Sequence, residues 1–450
     1  MNKLQEEMRT AFEGGTNFYM PSFFRIKLST SLNFEEIFGT DYEHIFFHEY
    51  LHYLEDIITS YGLANTSKVL NCIKYVYHHV KAKEAAYDFI LCRPVEFDSA
   101  TKTNCQLFGH YLQYQDETIE LNDSIIVTNI ETEEVQGGNY KGLNYKVKEY
   151  KVTLSNGSDY MLGAHAINEC ICHLLEKKVY NLTSKKLIPY DLPLLVWQYY
   201  FKDNQKLRDN ISALLDLMEF SLQFFNPAEI FIETLNRMTG KAEPKIVYSQ
   251  DFYNLLMGSW NSSSNENSLD IYNNSMKVLI NDINGTLVSE IYDSYRLWLL
   301  QVLKAANEYR MNKNPVFSPL YNSLNKGNAK TFLHDTFTKL GVPPIFNDDG
   351  VIYIKDIMEE KKGICKPIPY ISFFVAQGII AVYEYLRKFN YGCNQDLKEA
   401  CNHINESTNY TVYEIDENCD SSPWEKNDIT KMCPFASVWK TFGLTNMQIF

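Results

Sequence analysis

Five consecutive residues, His48-Glu49-Tyr50-Leu51-His52, form the sequence H-E-x-x-H, which places two histidines four residues apart. On a helix such residues share one face, with Cβ atoms about 5–6 Å apart, so both imidazoles can bind one zinc ion. Glu49 would then lie beside the metal, where it can take a proton from a water whose pKa zinc lowers to about 7. The motif therefore requires a helix here and predicts zinc-dependent hydrolysis.

The residues around the motif favour the helix that it needs. Thr40-Asp41-Tyr42-Glu43 matches a capping box, and Gly62 is a predicted stop signal. Between them, apolar residues recur at helical spacing on one face. A polar stripe runs along the opposite face, and its members are His44, His48, His52 and Glu55. A polar stripe on such an apolar helix favours a zinc site over histidines that merely face solvent.

At these residues the sequence resembles the zincin metallopeptidases, whose active-site helix carries H-E-x-x-H. The resemblance rests on residues 48–52 and covers little of the remaining chain. The metzincin subfamily does not fit, because its longer motif needs Gly and His where this chain has Glu55 and Ile58. Peptide deformylases do not fit either, because they take an upstream Cys ligand and the first cysteine here is Cys72. The resemblance implies a zinc endopeptidase with Glu49 as general base.

A catalytic zinc ion keeps three protein ligands and one open position, so a third ligand is expected elsewhere in the chain. The segment 163–176 resembles the Asn-Glu helix that supplies this ligand in gluzincins. Its apolar stripe leaves four polar residues aligned: His165, Glu169, His173 and Glu176. Glu169 is therefore the predicted third ligand.

Other residues compete for this role. Glu84 has the Glu-x-x-x-Asp spacing of thermolysin-like enzymes, and His78 and His79 lie close to it in sequence. The gap between His52 and Glu169 is wider than is usual in gluzincins, so the choice between Glu169 and Glu84 stays open.

Peptide hydrolysis also needs a hydrogen-bond donor for the oxyanion, commonly His, Tyr or Arg in zincins. His165, one turn before Glu169, is the predicted donor, and His44, one turn before His48, is a second candidate. Either histidine can instead be a buried partner of a ligand, and Tyr160 cannot be chosen among 32 tyrosines. Metal-bound imidazoles usually donate their other N–H to a carboxylate, and the nearby candidates are Glu55, Asp56 and Glu176.

Composition limits the expected partners and compartment. Lys and Arg total 42 against 56 Asp and Glu, the net charge is −14, and no basic run occurs, so a nucleic-acid partner is disfavoured. The polar N-terminus lacks the apolar core of a signal peptide, which predicts a cytoplasmic protein. The most apolar stretch, 370–386, contains Gln377 and Glu384 and is short for a membrane span, so no membrane is expected as a partner. A protein or peptide substrate remains, with the oligomeric state open.

The ten cysteines lack the regular spacing of a disulfide framework, which predicts reduced thiols. Several residues of metal-binding types cluster near the C-terminus: Cys393, Cys401, His403, Cys419 and Cys433. They include no C-x-x-C pair, so their spacing disfavours a structural zinc site.

The patterning predicts an α+β fold that is predominantly helical. Residues 1–188 are expected to form a zincin-like catalytic domain with a small β region, and 189–450 an α-helical domain that closes the active-site cleft. Predicted strands cover 19–28, 124–130 and 145–154, with turns at Gly137-Gly138-Asn139 and Asn156-Gly157, a bulge at Glu149 and a hairpin turn at Asn347-Asp348-Asp349-Gly350. Further predicted helices cover 65–91, 207–224, 227–238, 269–309 and 371–389, and 261–268 is the predicted linker.

Two classes of function agree with these features. In the first, the protein is a zinc endopeptidase that acts on a protein partner. In the second, it is a metal-stabilised helical interaction module without catalysis. Glu49 separates the two, because a purely structural site has no use for a base and fills its fourth position with protein. The sequence therefore favours the peptidase, whose substrate and activating signal it does not reveal.

Overall fold

The computed structural model describes the chain between residues 17 and 449 with gaps. The described residues are 17–21, 24–32, 34–86, 90–91, 94–115, 117–182, 185–241, 252–257, 268–313, 315–347, 350–352, 370–387, 392–393, 397–398, 401–402, 412–426, 431–444 and 448–449. The predicted linker at 261–268 lies outside them except for Ser268, and so does His403.

Helices make up most of the described chain. They are α1 (Tyr42–Ile58), α2 (Ser60–Ala85), α3 (Ser99–Leu112), α4 (Ala164–Tyr180), α5 (Leu192–Tyr200), α6 (Gln205–Arg208), α7 (Ile211–Ser221), α8 (Pro227–Lys241), α9 (Ser268–Thr286), α10 (Asp293–Asn312), α11 (Phe317–Ser323), α12 (Ala329–Leu340), α13 (Tyr370–Arg387), α14 (Asn418–Ser421) and α15 (Pro434–Thr441). A further helical segment covers 252–257. None of these helices combines the length and apolarity that crossing a membrane requires.

The strands are short except for one long hairpin. They are β1 (Phe18–Met20), β2 (Arg25–Lys27), β3 (Ile90–Leu91), β4 (Ile119–Leu121), β5 (Val127–Tyr140), β6 (Leu143–Leu154), β7 (Asp159–Leu162), β8 (Lys186–Ile188), β9 (Ile345–Asn347), β10 (Gly350–Ile352) and β11 (Gln448–Ile449). One sheet has the order β1-β2-β9-β10, with β2 parallel to β9, and another has the antiparallel order β5-β6-β7. The remaining pairs are antiparallel β4–β8 and parallel β3–β11. The predicted class, α+β and predominantly helical, is confirmed.

The helix α1 is held among other elements. It packs against α2, α4, α10 and the strands β1 and β2. Its apolar face is fixed by Tyr50 and Tyr53, whose hydroxyls donate to the carbonyls of Gly341 (3.1 Å) and Leu340 (2.7 Å). Buried tyrosines with satisfied hydroxyls combine a large apolar contact with a specific orientation. The polar stripe of α1 is thereby turned toward α4.

Both ends of α1 differ from the sequence prediction. At the start, Thr40 Oγ1 accepts from Tyr42 N–H (3.2 Å), but Glu43 accepts from the N–H of Gly39 (2.6 Å) and not from Thr40. At the end, α1 stops at Ile58, and Gly62 lies inside α2. A Cβ at Gly62 would lie 2.4 Å from the Cα of Asp56, so this glycine permits the close approach of two helices.

The β region also corrects the sequence prediction. The strand predicted at 19–28 is the hairpin of β1 and β2. The turn of the β5–β6 hairpin is Lys141-Gly142, both with positive φ, while the register shift lies between Gln136 and Gly138 and not at Glu149. The Asn156-Gly157 turn is confirmed, with φ +82° at Gly157, but it leads into β7 before α4 begins.

The later helices follow the predictions with shifted ends. The helix predicted at 65–91 is Ser60–Ala85, and the one predicted at 371–389 is Tyr370–Arg387. The predictions for 207–224 and 269–309 each merge two helices, α6 with α7 and α9 with α10. The predicted hairpin around 347–350 is present as β9 and β10.

Residues on the two sides of the predicted domain boundary at 188 share structure. β2 pairs with β9, and Arg25 Nη1 donates to Gln377 Oε1 (2.8 Å). One cluster of buried hydrophobic residues extends from Tyr19 to Leu444. The division into 1–188 and 189–450 stays a prediction.

A buried carboxyl on α7 makes folding depend on pH. Burial raises the pKa of Asp216 to about 7, the neighbouring Glu219 adds to this rise, and the Ser318 hydroxyl donates to Asp216. Between about pH 4 and 7 the folded chain keeps a proton that the unfolded chain has lost, so stability falls as pH rises. The Asp216→Asn variant should match wild type near pH 4 and exceed it by about 1–3 kcal/mol at pH 8. Urea unfolding at both values checks this, with the exposed Asp209→Asn as a control that should show no such change.

Candidate metal centre

Two helices bring the predicted ligands together. His48 and His52 lie one turn apart on α1, and Glu169 faces them from α4. Glu169 Oε2 lies 3.2 Å from His48 Nε2 and 3.5 Å from His52 Nε2. All three donor atoms fall within 4.8 Å of one another. Two imidazole nitrogens and a carboxylate oxygen so arranged are a suitable set for a divalent transition metal.

The other nitrogen of each imidazole is held by a second carboxylate. His48 Nδ1 lies 3.0 Å from Glu176 Oε2, and His52 Nδ1 lies 2.8 Å from Glu55 Oε2. Glu176 also contacts His44 Nδ1 at 2.6 Å. Carboxylates in these positions fix the ring orientation and raise the basicity of the nitrogen that faces the metal. The predicted partners Glu55 and Glu176 are therefore present.

The third candidate carboxylate has another role. Asp56 accepts from the Tyr19 hydroxyl at 2.9 Å. His44, a candidate oxyanion donor, instead contacts Glu176 and lies beside the Tyr180 ring, 6.1 Å between centroids. Both residues support the walls of the site from outside the donor group.

The site carries an excess of negative charge. Burial opposes the charged forms, but Glu169 and Glu176 raise the pKa of His48 to about 10, and the imidazoles hold the pKa of Glu169 well below its usual range. The carboxylates around the two imidazoles are Glu49, Glu55, Glu169 and Glu176. Buried carboxylates need a positive partner, so a bound dication would satisfy the whole group.

Glu49 lies beside the donor group without belonging to it. Burial raises its pKa, which His48 and His52 oppose, and the backbone N–H of Tyr19 donates to its carboxylate. A carboxylate with a raised pKa is a stronger base than one in water. Its position and environment suit proton transfer.

A second group shares one histidine with the first. The donor atoms of His52, Glu55 and Cys172 also lie within 4.8 Å of one another. Burial raises the pKa of the Cys172 thiol well above its usual value, and its sulfur lies 3.4 Å from His52 Nδ1. A protonated thiol is a poor ligand, so this group serves better to orient His52.

His165 lies where the sequence placed it, beside Glu169. Its Nδ1 is 3.8 Å from Glu169 Oε1, and its ring lies against that of Tyr114 with centroids 4.6 Å apart. The side chain of His165 keeps 15% of its surface exposed, similar to the 16% of Glu169. It therefore borders the same partly open space as the donor group.

Sequence reasoning missed Tyr190. Its ring lies 6.0 Å from that of His48 and 5.2 Å from that of His173. Burial raises its pKa, and the carboxylates of Glu169 and Glu49 add to the rise, so the hydroxyl stays protonated. No local pattern distinguishes Tyr190 among 32 tyrosines, because it follows β8 in a turn whose position is set by tertiary contacts.

The alternative ligands lie on α2. His79 lies beside the Tyr75 ring and His78 beside the Tyr77 ring, and neither belongs to the donor groups found in the described part of the chain. The side chain of Glu84 lies outside the described residues. Among described side chains, Glu169 is the one that completes a group with both motif histidines.

A scan against protein-family models, a search of curated proteins and a search of solved structures each found no match. The resemblance to zincins therefore rests on the site residues alone and stays a prediction. The choice of zinc also stays a prediction, since the donor set defines a cation site and not its occupant.

Proposed function

We propose that this protein is a zinc-dependent endopeptidase with His48, His52 and Glu169 as metal ligands and Glu49 as general base. The observation that supports it best is the division of labour between the imidazole nitrogens. Both Nε2 atoms converge on one oxygen of Glu169, while both Nδ1 atoms contact the outer carboxylates Glu176 and Glu55. This arrangement leaves one side of the donor group to a substrate.

Zinc fits this donor set. Two histidines and one glutamate form a ligand set of known catalytic zinc sites, and three protein ligands leave a fourth position open. Zinc held there would polarise a peptide carbonyl and lower the pKa of a bound water to about 7. The side chains of His48, His52 and Glu169 keep 11–16% of their surface exposed, so small molecules can reach the group.

The surrounding residues supply the acid–base chemistry. Glu49 accepts a proton from the attacking water and returns it to the departing amine. The protonated hydroxyl of Tyr190 and the ring of His165 border the donor group from two sides and are the candidate donors to the oxyanion. Tyr190 is the better candidate, because burial keeps its proton in place.

An extended peptide has a strand to pair with. β1 is the outermost described strand of its sheet, and its residue Tyr19 contacts Glu49 through the backbone and lies 6.5 Å from the His52 ring. A peptide added to this edge would pass the donor group in the extended form that proteolysis needs. The described cysteines are all unpaired, which agrees with a cytoplasmic site of action.

The test compares protein N-termini in cells that express wild type and Glu49→Gln at equal levels. We expect new N-termini with wild type that are missing with the variant, and their sequences would identify the substrate. If wild type produces none that the variant lacks, even with candidate partners co-expressed, the peptidase proposal is overturned and the interaction module replaces it.

A further inference from the structure

Four cysteines from separate segments meet in the C-terminal part of the described chain. They are Cys393, Cys401, Cys419 and Cys433, and every pair among them interacts electrostatically. Their sequence spacing gives no sign of this, so the fold brings them together. The other described cysteines, such as the buried pair Cys72 and Cys105 with sulfurs 3.7 Å apart, form no such group.

The backbone brings two of the four into contact. Cys393 N–H donates to the carbonyl of Cys419 at 2.7 Å, and the two side chains are hydrogen-bonded. Gly392 has φ +108°, and a Cβ on it would lie 2.3 Å from the Cys419 carbonyl oxygen. Only glycine fits this approach, so the local conformation holds the two thiols together.

Two of the sulfurs receive hydrogen bonds that suit thiolates. Lys426, with only 7% of its surface exposed, places Nζ 2.9 Å from Cys419 Sγ. The backbone N–H of Ala436, in the first turn of α15, donates to Cys433 Sγ at 3.5 Å. A buried ammonium is costly unless a negative group faces it, so Cys419 is matched to a charged sulfur.

Aromatic rings pack around this part of the chain. Trp439 stacks on Phe435 at 5.6 Å and on Trp424 at 5.2 Å, and Tyr385 contacts all three rings. Such a shell limits access of water to a nearby centre, which protects metal–thiolate bonds and tunes their potential.

We propose that Cys393, Cys401, Cys419 and Cys433 are the ligands of one four-thiolate metal centre, an iron–sulfur cluster of the [4Fe–4S] type. Four cysteine ligands suit either one zinc ion or such a cluster. A single zinc ion needs donor atoms as close as those of His48, His52 and Glu169, and the cysteines form no group with all atoms within 4.8 Å. A cluster holds its sulfurs further apart, because each cysteine binds a different iron. The bonds from Lys426 and Ala436 then act on two of the ligand sulfurs.

The test uses full-length protein purified without oxygen from iron-supplied cells. We expect about four iron and four acid-labile sulfide per chain, with sulfur-to-iron charge-transfer absorption in the visible range. Zinc held by these cysteines without iron would overturn the cluster. Wild type that contains no metal at the four thiols, or carries them as disulfides by mass, would overturn the site, and this result needs no variant to fold.

Variants place the metal at these residues. Cys419→Ser and Cys433→Ser should each remove most of the iron and the visible absorption, whereas the control Cys72→Ser should keep both. His48→Ala should keep the iron, so a failure of the proposed peptidase leaves this centre untouched. Loss of iron in Cys72→Ser equal to that in Cys419→Ser would contradict the assignment.

Discussion

The Glu49→Gln variant is expected to hydrolyse its substrate about 10²–10⁴-fold more slowly than wild type while keeping its metal and its fold. Gln preserves the size of the side chain and can still accept the Tyr19 N–H, but it cannot take a proton. His48 and His52 keep their Nδ1 partners, so the metal ligands stay in place. The measurements are kcat/KM on a peptide spanning a cleavage site found in cells, and zinc content by elemental analysis.

A matched control comes from the same helix. Glu43 accepts hydrogen bonds from Gly39 and Tyr180 on the first turn of α1, and Glu43→Gln keeps an acceptor for them. Its rate should stay near that of wild type. A Glu49→Gln protein that cleaves at the wild-type rate would rule out Glu49 as the base, and one that has lost its zinc would show that the residue holds the metal.

The Glu169→Ala variant is expected to bind zinc at least about 100-fold more weakly than wild type. Two imidazoles remain, but no carboxylate completes the group. Loss of an outer partner typically costs 10–100-fold in affinity, and loss of a direct ligand should exceed that. Competition with a chromogenic chelator measures the affinity, and circular dichroism checks the fold.

Two further variants order the ligands. Glu176→Ala should weaken zinc binding within the 10–100-fold range of an outer partner. Glu84→Ala should leave the affinity near wild type. The reverse ranking, with Glu84→Ala as the severe variant, would transfer the third ligand from α4 to α2.

Local patterning was enough to predict much of the candidate site. Residues four apart share a helix face, so the alignment of His48 with His52 and of Glu169 with His165 could be read directly from the sequence. Tyr190 could not be predicted, because it lies in a turn and reaches the site through packing that has no period in the sequence. The same reason hid the meeting of the four C-terminal cysteines.

Glycines show why the β region was harder to predict than the helices. Gly137-Gly138 resembles a turn, but a Cβ at Gly137 would lie 2.7 Å from Leu107 and one at Gly138 2.8 Å from Thr103, both on α3. These residues therefore allow a strand to lie close to a helix. Glycine serves both purposes, and only the tertiary contact tells them apart.

The contact between α1 and α4 joins His48 to Glu169, which are 121 positions apart, and the β5–β6 hairpin lies in the chain between them. The entropy of closing such a loop grows only with the logarithm of its length, about 0.6 kcal/mol for each doubling. Segments can therefore be gained or lost in this interval without weakening the contact appreciably. The wide interval between motif and third carboxylate is thus a place where the chain can acquire new surface, and substrate preference can diverge there while the chemistry stays fixed.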